Sequence, residues 1–482
     1  MSRADTASSM NNAASTDRAS VAAPAANPAM APASPAAFDA TSARANPATP
    51  AEFPDSTEST VVYRLRAGIR ARYRSERRFR RLGAASLAVG ALFLLWLLGT
   101  SALQSVGAFS QTYLAVDVAL DAAEFAGDAP YSRAAIAAAP YQRMLKSALR
   151  AAFPAVTARR DKRRLYRLIS DGAQYDLRDR VLVAPQLIGG THRFWLLANA
   201  EVDRLIKGNI DRHAPESNRR LSDQAIAWVD RLQSEGRVER RFNRTFFTAG
   251  DSRNAEQAGI LGAVMGSLFT LVATMLLAVP VGIAAAVYLQ EFAPRNRFID
   301  LVEVNINNLA AVPSITFGLL GLALLINFFG MPRSLPLVGG MVLALMTLPT
   351  IIISSRAALA AVPPRIRQAA LALGASKVQA VVHHILPLAL PGMLTGAIIG
   401  LAQALGETAP LLAIGMVAFI VDVPGGPTDP ATALPVQIYL WADSPERAFV
   451  ERTAAAIVVL LGALAVVNGL IAVLRNKVEK RW

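Results

Sequence analysis

Six long apolar stretches fix what this chain can fold into: residues 82 to about 103, 260–289, 306–329, 335–355, 386 to about 420, and 453–474. All are free of acidic and basic side chains, except for one glutamate in the fifth. The hydrocarbon core of a bilayer is crossed by about 20 apolar residues in an α-helix, and each stretch reaches that length. Inside lipid a backbone must satisfy its own N–H and C=O groups, which makes every such crossing helical. Hydrophobic residues are 53% of the 482 and charged ones 17%, and they are segregated into blocks. The expected fold is an all-α polytopic membrane protein with about six transmembrane helices.

Lys and Arg outnumber Asp and Glu by 49 to 35. The excess gathers beside the apolar stretches, at Arg64 through Arg81, Arg295 and Arg297, Arg356 through Arg367, and Arg475 through Arg481. Short basic flanks are retained in the cytoplasm. With both termini inside, six crossings put every one of these clusters on the cytoplasmic face of the membrane. No basic patch carries the interleaved aromatics of a base-stacking surface, so the expected partner is the lipid membrane and not nucleic acid. The chain has no cysteine, which removes disulfides, zinc-thiolate sites and cysteine nucleophiles together. The first apolar stretch follows an arginine cluster and carries no small-residue cleavage site, so it is expected to be a retained helix.

Four regions follow. Residues 1–60 are rich in Ala, Pro and Ser with hardly any large apolar side chains, the composition of a disordered cytoplasmic arm. Residues 61–104 form a basic juxtamembrane segment and the first crossing. Residues 105–256 are hydrophilic and long enough for a small α/β extracytoplasmic insert, since loops of this length translocate largely regardless of charge. Helical periodicity is expected at 141–153, 163–169 and 221–232, and strands at 180–183, 194–197 and 240–247. Residues 257–482 hold the remaining five crossings.

The inside loop 361–387 is read as two short helices joined by a turn. Pro364 can open the first, Gly374 can supply the left-handed residue that ends it, and Ser376 can cap a second beginning at Lys377 and running to about Ile385. The loop is pinned between two crossings, which argues against a DNA-reading helix–turn–helix. It resembles the EAA loop of ABC importer permeases through Gln368-Ala369-Ala370, Gly374, His384 and Leu386-Pro387. Gln368 stands where that pattern has an acidic residue and His384 where it has an aliphatic one. The resemblance implies docking on an ATP-hydrolysing subunit, with Arg367, Gln368, Ala369, Ala370, Gly374 and Lys377 as the coupling residues. His383 and His384 are adjacent on a helix and diverge by about 100°, so no metal is expected there.

Two further motifs narrow the resemblance. Glu407 lies in Leu405-Gly406-Glu407-Thr408-Ala409-Pro410-Leu411-Leu412, an ionisable group at membrane depth between two helix-breaking residues. Residues 312–322 read VPSITFGLLGL. With these the region 259–482 is similar to the permease subunits of phosphate-specific ABC importers, the PstA type in particular. That resemblance implies an assembly of a second permease subunit, two copies of an ATP-binding subunit and a periplasmic phosphate-binding protein. Glu407 is expected on the substrate path, accepting from the proton of phosphate or orienting an arginine, with Thr408, Ser314 and Thr316 as hydroxyl contributors. The alternatives are another oxyanion, molybdate or sulfate, and a membrane sensor with a periplasmic ligand domain. No Gly-Lys pair exists in the chain, so it lacks a phosphate-binding loop. The expectation is a transporter subunit that is not an enzyme and needs no cofactor.

Overall fold

A computed structural model describes residues 55–127 and 130–478. Most of the 1–60 arm and the last residues of the basic tail lie outside the described residues. Two units are distinguished, Met1–Gly83 and Ala84–Trp482. In the first, the described residues are helical, the beginning of α1 (Asp55–Ser105). In the second, the rest of α1 carries the first apolar stretch, where Leu87, Leu92, Phe93, Leu95 and Trp96 are all more than half exposed. Among the described residues nothing covers that surface, which suits lipid or another subunit as its neighbour.

The insert follows. It contains β1 (Ser110–Ala119), α2 (Arg133–Ala138), α3 (Tyr141–Ala152), α4 (Arg159–Tyr166), α5 (Ala173–Val183), β2 (Thr191–Leu197), α6 (Ala200–Ile206), α7 (Asp223–Ser234), β3 (Val238–Phe242) and α8 (Arg244–Thr248). The strands form one antiparallel sheet in the order β2-β1-β3, with Val116 opposite Phe194 and Thr112 opposite Arg240. Leu114, Val116, Val118 and Leu196 pack against Leu145, Leu149, Leu177, Val229 and Leu232 from the helices. The expected helix 141–153 is α3 and the expected 221–232 is α7; of 163–169 only the first residues are helical, as the end of α4. The expected strand 180–183 is instead the last turn of α5, where Leu177 and Val181 repeat at a spacing of four and are both fully buried. Residues 240–247 change from strand to helix at Asn243, whose side chain accepts from the Phe246 N–H as a helix cap.

The membrane core comprises α9 (Leu261–Val287), α10 (Arg297–Ala310), α11 (Ser314–Gly321), α12 (Pro336–Ala360), α13 (Pro364–Ala372), α14 (Lys377–Ala380), α15 (Leu386–Gly406), α16 (Ala409–Ala413), α17 (Leu434–Ala442) and α18 (Phe449–Val478). Among the described residues five helical segments are long and apolar enough to cross a membrane, and a sixth span is counted if one bent pair is taken together.

Close approaches fix the helix directions. A β-carbon on Gly340 of α12 would meet Ala273 of α9, and one on Gly282 of α9 would meet Ile351 of α12, so these two helices run parallel. Gly392 and Gly400 of α15 face Ala358 and Ile351 of α12 in the reverse order, so α15 runs antiparallel. The Arg452 guanidinium near the start of α18 donates to the Ala258 carbonyl just before α9, which puts both starts at one end. Parallel α9 and α12 require the chain between them to return across the core, and the intervening Ser314–Phe328 segment is about 22 Å long at helical rise.

That return corrects the third expected crossing. Residues 306–329 are not one helix: α10 and Ser314–Phe328 meet at 102°. Pro313 has no N–H to donate and adopts an extended ψ of 136°, which ends one helix and starts the next. Residues 306–310 belong to α10, whose Asp300, Glu303, Asn305, Asn307 and Asn308 make it unsuited to cross lipid alone. The fifth stretch is also shorter than expected. Helix α15 stops at Gly406, Glu407 is extended with ψ 123°, and Ile414 to Ile420 lie beyond the short α16.

Candidate functional site

At the end of the core opposite the insert, the loop between α12 and α15 adopts the expected form. Gly374 closes α13 with φ of +87°, a conformation that costs a β-branched or bulky side chain dearly. Ser376 caps α14 in a reciprocal capping box with Gln379. The second helix does not stop at Ile385. Residues Val381–Ile385 form a π turn that runs directly into α15, which relieves the missing N–H of Pro387.

Gln368, Ala369, Gly374 and Lys377 are exposed on this loop, whereas Ala370 is buried beneath it. Leu371, Leu373, Val378 and Val382 add an apolar surface, with Leu373 at 89% exposure. Arg367 points inward: its guanidinium pairs with Glu291, a carboxylate almost wholly buried in the turn after α9. The Lys377 ammonium lies 5.3 Å from the ring centre of Phe292 in the same turn. Two cation contacts thus fasten the loop to Tyr288–Phe292. Sequence reasoning missed Glu291 and Phe292, because neither belongs to the loop motif.

The other two motifs meet inside the core. A β-carbon on Gly318 would lie 2.7 Å from the Pro410 backbone and 2.7 Å from the Ala413 side chain, while one on Gly321 would meet Ile414 and Val342. The contacts advance in step, so α11 and α16 run the same way. Their starting ends lie together, bearing Ser314 and Thr316 on one helix and Glu407 and Thr408 on the other. Ala404, just before the break, shares a buried cluster with Phe317, Val342 and Met346, which sets it level with the first half of α12.

Glu407 is half-buried, and among the described residues no arginine or hydrogen-bond donor pairs with its carboxylate. Thr316 donates to the Pro313 carbonyl at 2.7 Å, and Ser314 and Thr408 are half-buried. One turn before Glu407, the exposed Gln403 accepts from Thr350 of α12 at 3.4 Å. Gln403 and Thr350 were not anticipated. Their signal is a lone amide and a lone hydroxyl in apolar helices at compatible levels.

A third polar cluster ties the insert to the core. Lys207 bridges Asp203 of α6 and Glu451 of α18, at 3.2 Å from the latter, with only 5% of its side chain exposed. Asp203 accepts from both the Thr112 N–H and hydroxyl, at 2.9 and 2.7 Å. Beside them, burial pushes the Glu256 carboxyl up from its ordinary value, against a hydrogen bond from Ser170 and the charge of Arg452, both of which pull it down.

Known proteins place this arrangement. Residues 278–480 match the family described as binding-protein-dependent transport system inner membrane component, and residues 66–216 match a domain of unknown function, DUF3333. The chain is 33% identical to the probable ABC transporter permease protein YqgI of Bacillus subtilis over 35% of its own length and 56% of that protein. It therefore spans little more than half of that relative. It is 31% identical to the phosphate transport system permease protein PstA 1 of Mycobacterium tuberculosis, over 46% of its own length and 72% of that protein. A chain of the inward-facing MetNI methionine ABC transporter is similar in structure with a TM-score of 0.38 and 21% identity, over 45% of this chain and 97% of that one. With its apolar helices, its Gly374-centred loop and its relationship to PstA 1, this chain belongs to the inner-membrane permeases of ABC transporters, among those of the PstA type.

Proposed function

We propose that the chain is a permease subunit of an ATP-driven phosphate importer, forming half of the translocation path. The observation that carries this is Glu407: an ionisable side chain at the break between α15 and α16, half-buried at membrane depth and without a partner among the described residues. A carboxylate facing hydrocarbon is costly, so the surface it occupies faces a polar path or a second subunit. A broken helix at membrane depth is tolerated where it lines such a cavity. Phosphate near neutral pH keeps a proton that a carboxylate can accept, whereas sulfate offers none. Ser314, Thr316 and Thr408 stand at the same end of the α11–α16 pair and supply hydroxyls to the path.

The loop 361–387 couples this path to a separate ATP-binding subunit, two copies of which serve the two permease halves. Its exposed Gln368, Ala369, Gly374 and Lys377, with the apolar Leu371 and Leu373, form the contact; Arg367 and the buried Ala370 hold it in place. A periplasmic phosphate-binding protein delivers substrate at the end bearing the insert 105–256. The chain itself has no phosphate-binding loop and contributes no catalysis. Both termini and the coupling loop are cytoplasmic in this reading, in accord with the four basic clusters.

Purification of the tagged chain from solubilised membranes, with mass spectrometry of what accompanies it, tests the assembly. An ATPase, a second permease and a phosphate-binding protein are expected. Recovery with a kinase or response regulator instead would turn the reading to a sensor.

A further inference from the structure

Where the insert joins the core, three phenylalanines form an open stack. Phe109 lies parallel to Phe247 at 5.9 Å between ring centres, and Phe247 parallel to Phe242 at 5.8 Å. Phe242 is 62% exposed and Phe247 38%. A contiguous exposed apolar patch of this kind is a feature of surfaces that meet a membrane or another protein.

The position of the stack identifies its neighbour. Phe109 comes four residues after the end of α1, and the intervening Val106 and the preceding Leu103 are 62% and 77% exposed, so exposed apolar side chains lead from α1 toward the stack with Gln104 as the exposed polar side chain between them. On the other side, α8 carries Phe247 and is hydrogen-bonded to the start of α9: Ile260 N–H donates to the Phe246 carbonyl at 2.8 Å and Leu261 N–H to the Ala249 carbonyl at 3.1 Å. The rings therefore stand at the level where two spans leave the hydrocarbon. Around them β3 and α8 present Arg240, Arg241 and Arg244 beside one carboxylate, Glu239, which pairs with Arg241 at 2.7 Å; Arg240 also donates to the Ser110 hydroxyl at 3.0 Å. Arg240 and Arg244 are exposed, and the Arg244 guanidinium has no hydrogen-bond or ion-pair partner among the described residues. Rings flanked by arginines at a bilayer boundary suit acyl chains below and anionic headgroups above.

We propose that the β3–α8 edge of the insert rests on the bilayer, with Phe242 and Phe247 entering the interfacial layer and Arg240 and Arg244 holding anionic lipid headgroups. The insert is thus a membrane-seated platform rather than a freely standing ectodomain. The proposal rests on the reading of α1 and α9 as spans, and its test separates the two.

The chain is naturally free of cysteine, so single cysteines can be introduced and spin-labelled without removing any. Phe242→Cys, Phe247→Cys and Arg244→Cys would be labelled in the full-length chain, in nanodiscs of phosphatidylcholine with phosphatidylglycerol and of phosphatidylcholine alone. Leu92→Cys on α1 serves as the span control and Val183→Cys, 87% exposed at the end of α5, as the water control. Collision rates with oxygen and with a water-soluble nickel chelate give depth. The proposal expects labels at 242 and 247 to be severalfold less accessible to nickel than at 183, with the label at 244 at headgroup depth and all three moving toward water when phosphatidylglycerol is omitted. Labels at 242 and 247 as nickel-accessible as at 183 would overturn it, and protection indifferent to phosphatidylglycerol would overturn the role of the arginines. A nickel-accessible label at 92 would instead mean that α1 is not a span.

Discussion

Gly318 and Pro410 lie in direct contact: a β-carbon at 318 would sit 2.7 Å from both the Cα and the carbonyl oxygen of Pro410. Through this contact the second half of a broken span, α11, seats the short helix that follows Glu407, and neither segment is long enough to be stable alone. Backbone cannot yield as a flexible side-chain end would. Gly318→Val is expected to destabilise the pair by about 1–3 kcal/mol, the range for overpacking a close contact. It should abolish uptake while leaving the coupling loop able to bind the ATPase, as measured by uptake and co-purification on the same preparation. Normal uptake by Gly318→Val would show that α11 and α16 part readily.

Glu407→Gln keeps the shape of the side chain and removes its charge and part of its accepting power. If the carboxylate accepts from phosphate, the loss of a hydrogen bond to a charged group is worth about 1.5–3 kcal/mol, or roughly ten- to a hundredfold in rate. The variant should therefore assemble normally and transport phosphate at least tenfold more slowly, a difference that radiolabelled uptake resolves readily. Wild-type uptake would remove Glu407 from the path.

The positions of the spans were legible because the apolar length needed to cross lipid is a property of composition alone. The break at Pro313 was harder to see. Val312 and Ile315 are apolar on either side of it, so hydropathy runs smoothly through a 102° bend, and only Asn305, Asn307 and Asn308 signalled that the helix before it differs. In the insert, Leu177 and Val181 fit both a helix and an alternating strand over so short a window. The central strand β1 escaped notice: Ala115, Val116 and Val118 are all buried, so Ser110–Ala119 shows no clean alternation. In the loop the start of α13 at Pro364, the turn at Gly374 and the Ser376 cap were legible, but the run of the second helix past Ile385 into α15 was not. The brace of the loop was not legible either, because Arg367 and Glu291 are 76 positions apart.

Glu291→Gln removes the charge that holds Arg367. The side chain of Glu291 is 2% exposed and that of Arg367 37%, so the pair is sheltered at one end only, and its loss should cost about 1–3 kcal/mol of loop order. The expected result is weaker retention of the ATPase by Glu291→Gln and by Arg367→Ala, with partial recovery when the pair is exchanged as Glu291→Arg with Arg367→Glu. Undiminished retention in both single variants would mean that the brace does not position the loop.

Glu256 gives the joint between insert and core a pH dependence. Burial raises its carboxyl above the ordinary 4.5, so the folded state binds its proton more tightly than the unfolded chain does. Stability from this group is therefore greatest in acid and falls as pH rises from about 4.5 through the raised value. Glu256→Gln should raise the thermal inactivation midpoint at pH 7 and flatten its fall as pH rises above about 4.5. A lower midpoint at pH 7 would show that the ionised form is stabilised by its surroundings.

The central claim is that this chain, with its partners, moves phosphate. The direct measurement is ATP-dependent uptake of radiolabelled phosphate into proteoliposomes holding the complex that co-purifies with the tagged chain, supplied with its binding protein, with sulfate and molybdate as competitors. Uptake that requires ATP, ignores excess sulfate and molybdate, and collapses in Glu407→Gln is the predicted result. Uptake inhibited as strongly by sulfate or molybdate as by phosphate, or no ATP-dependent uptake from an intact complex, would contradict it.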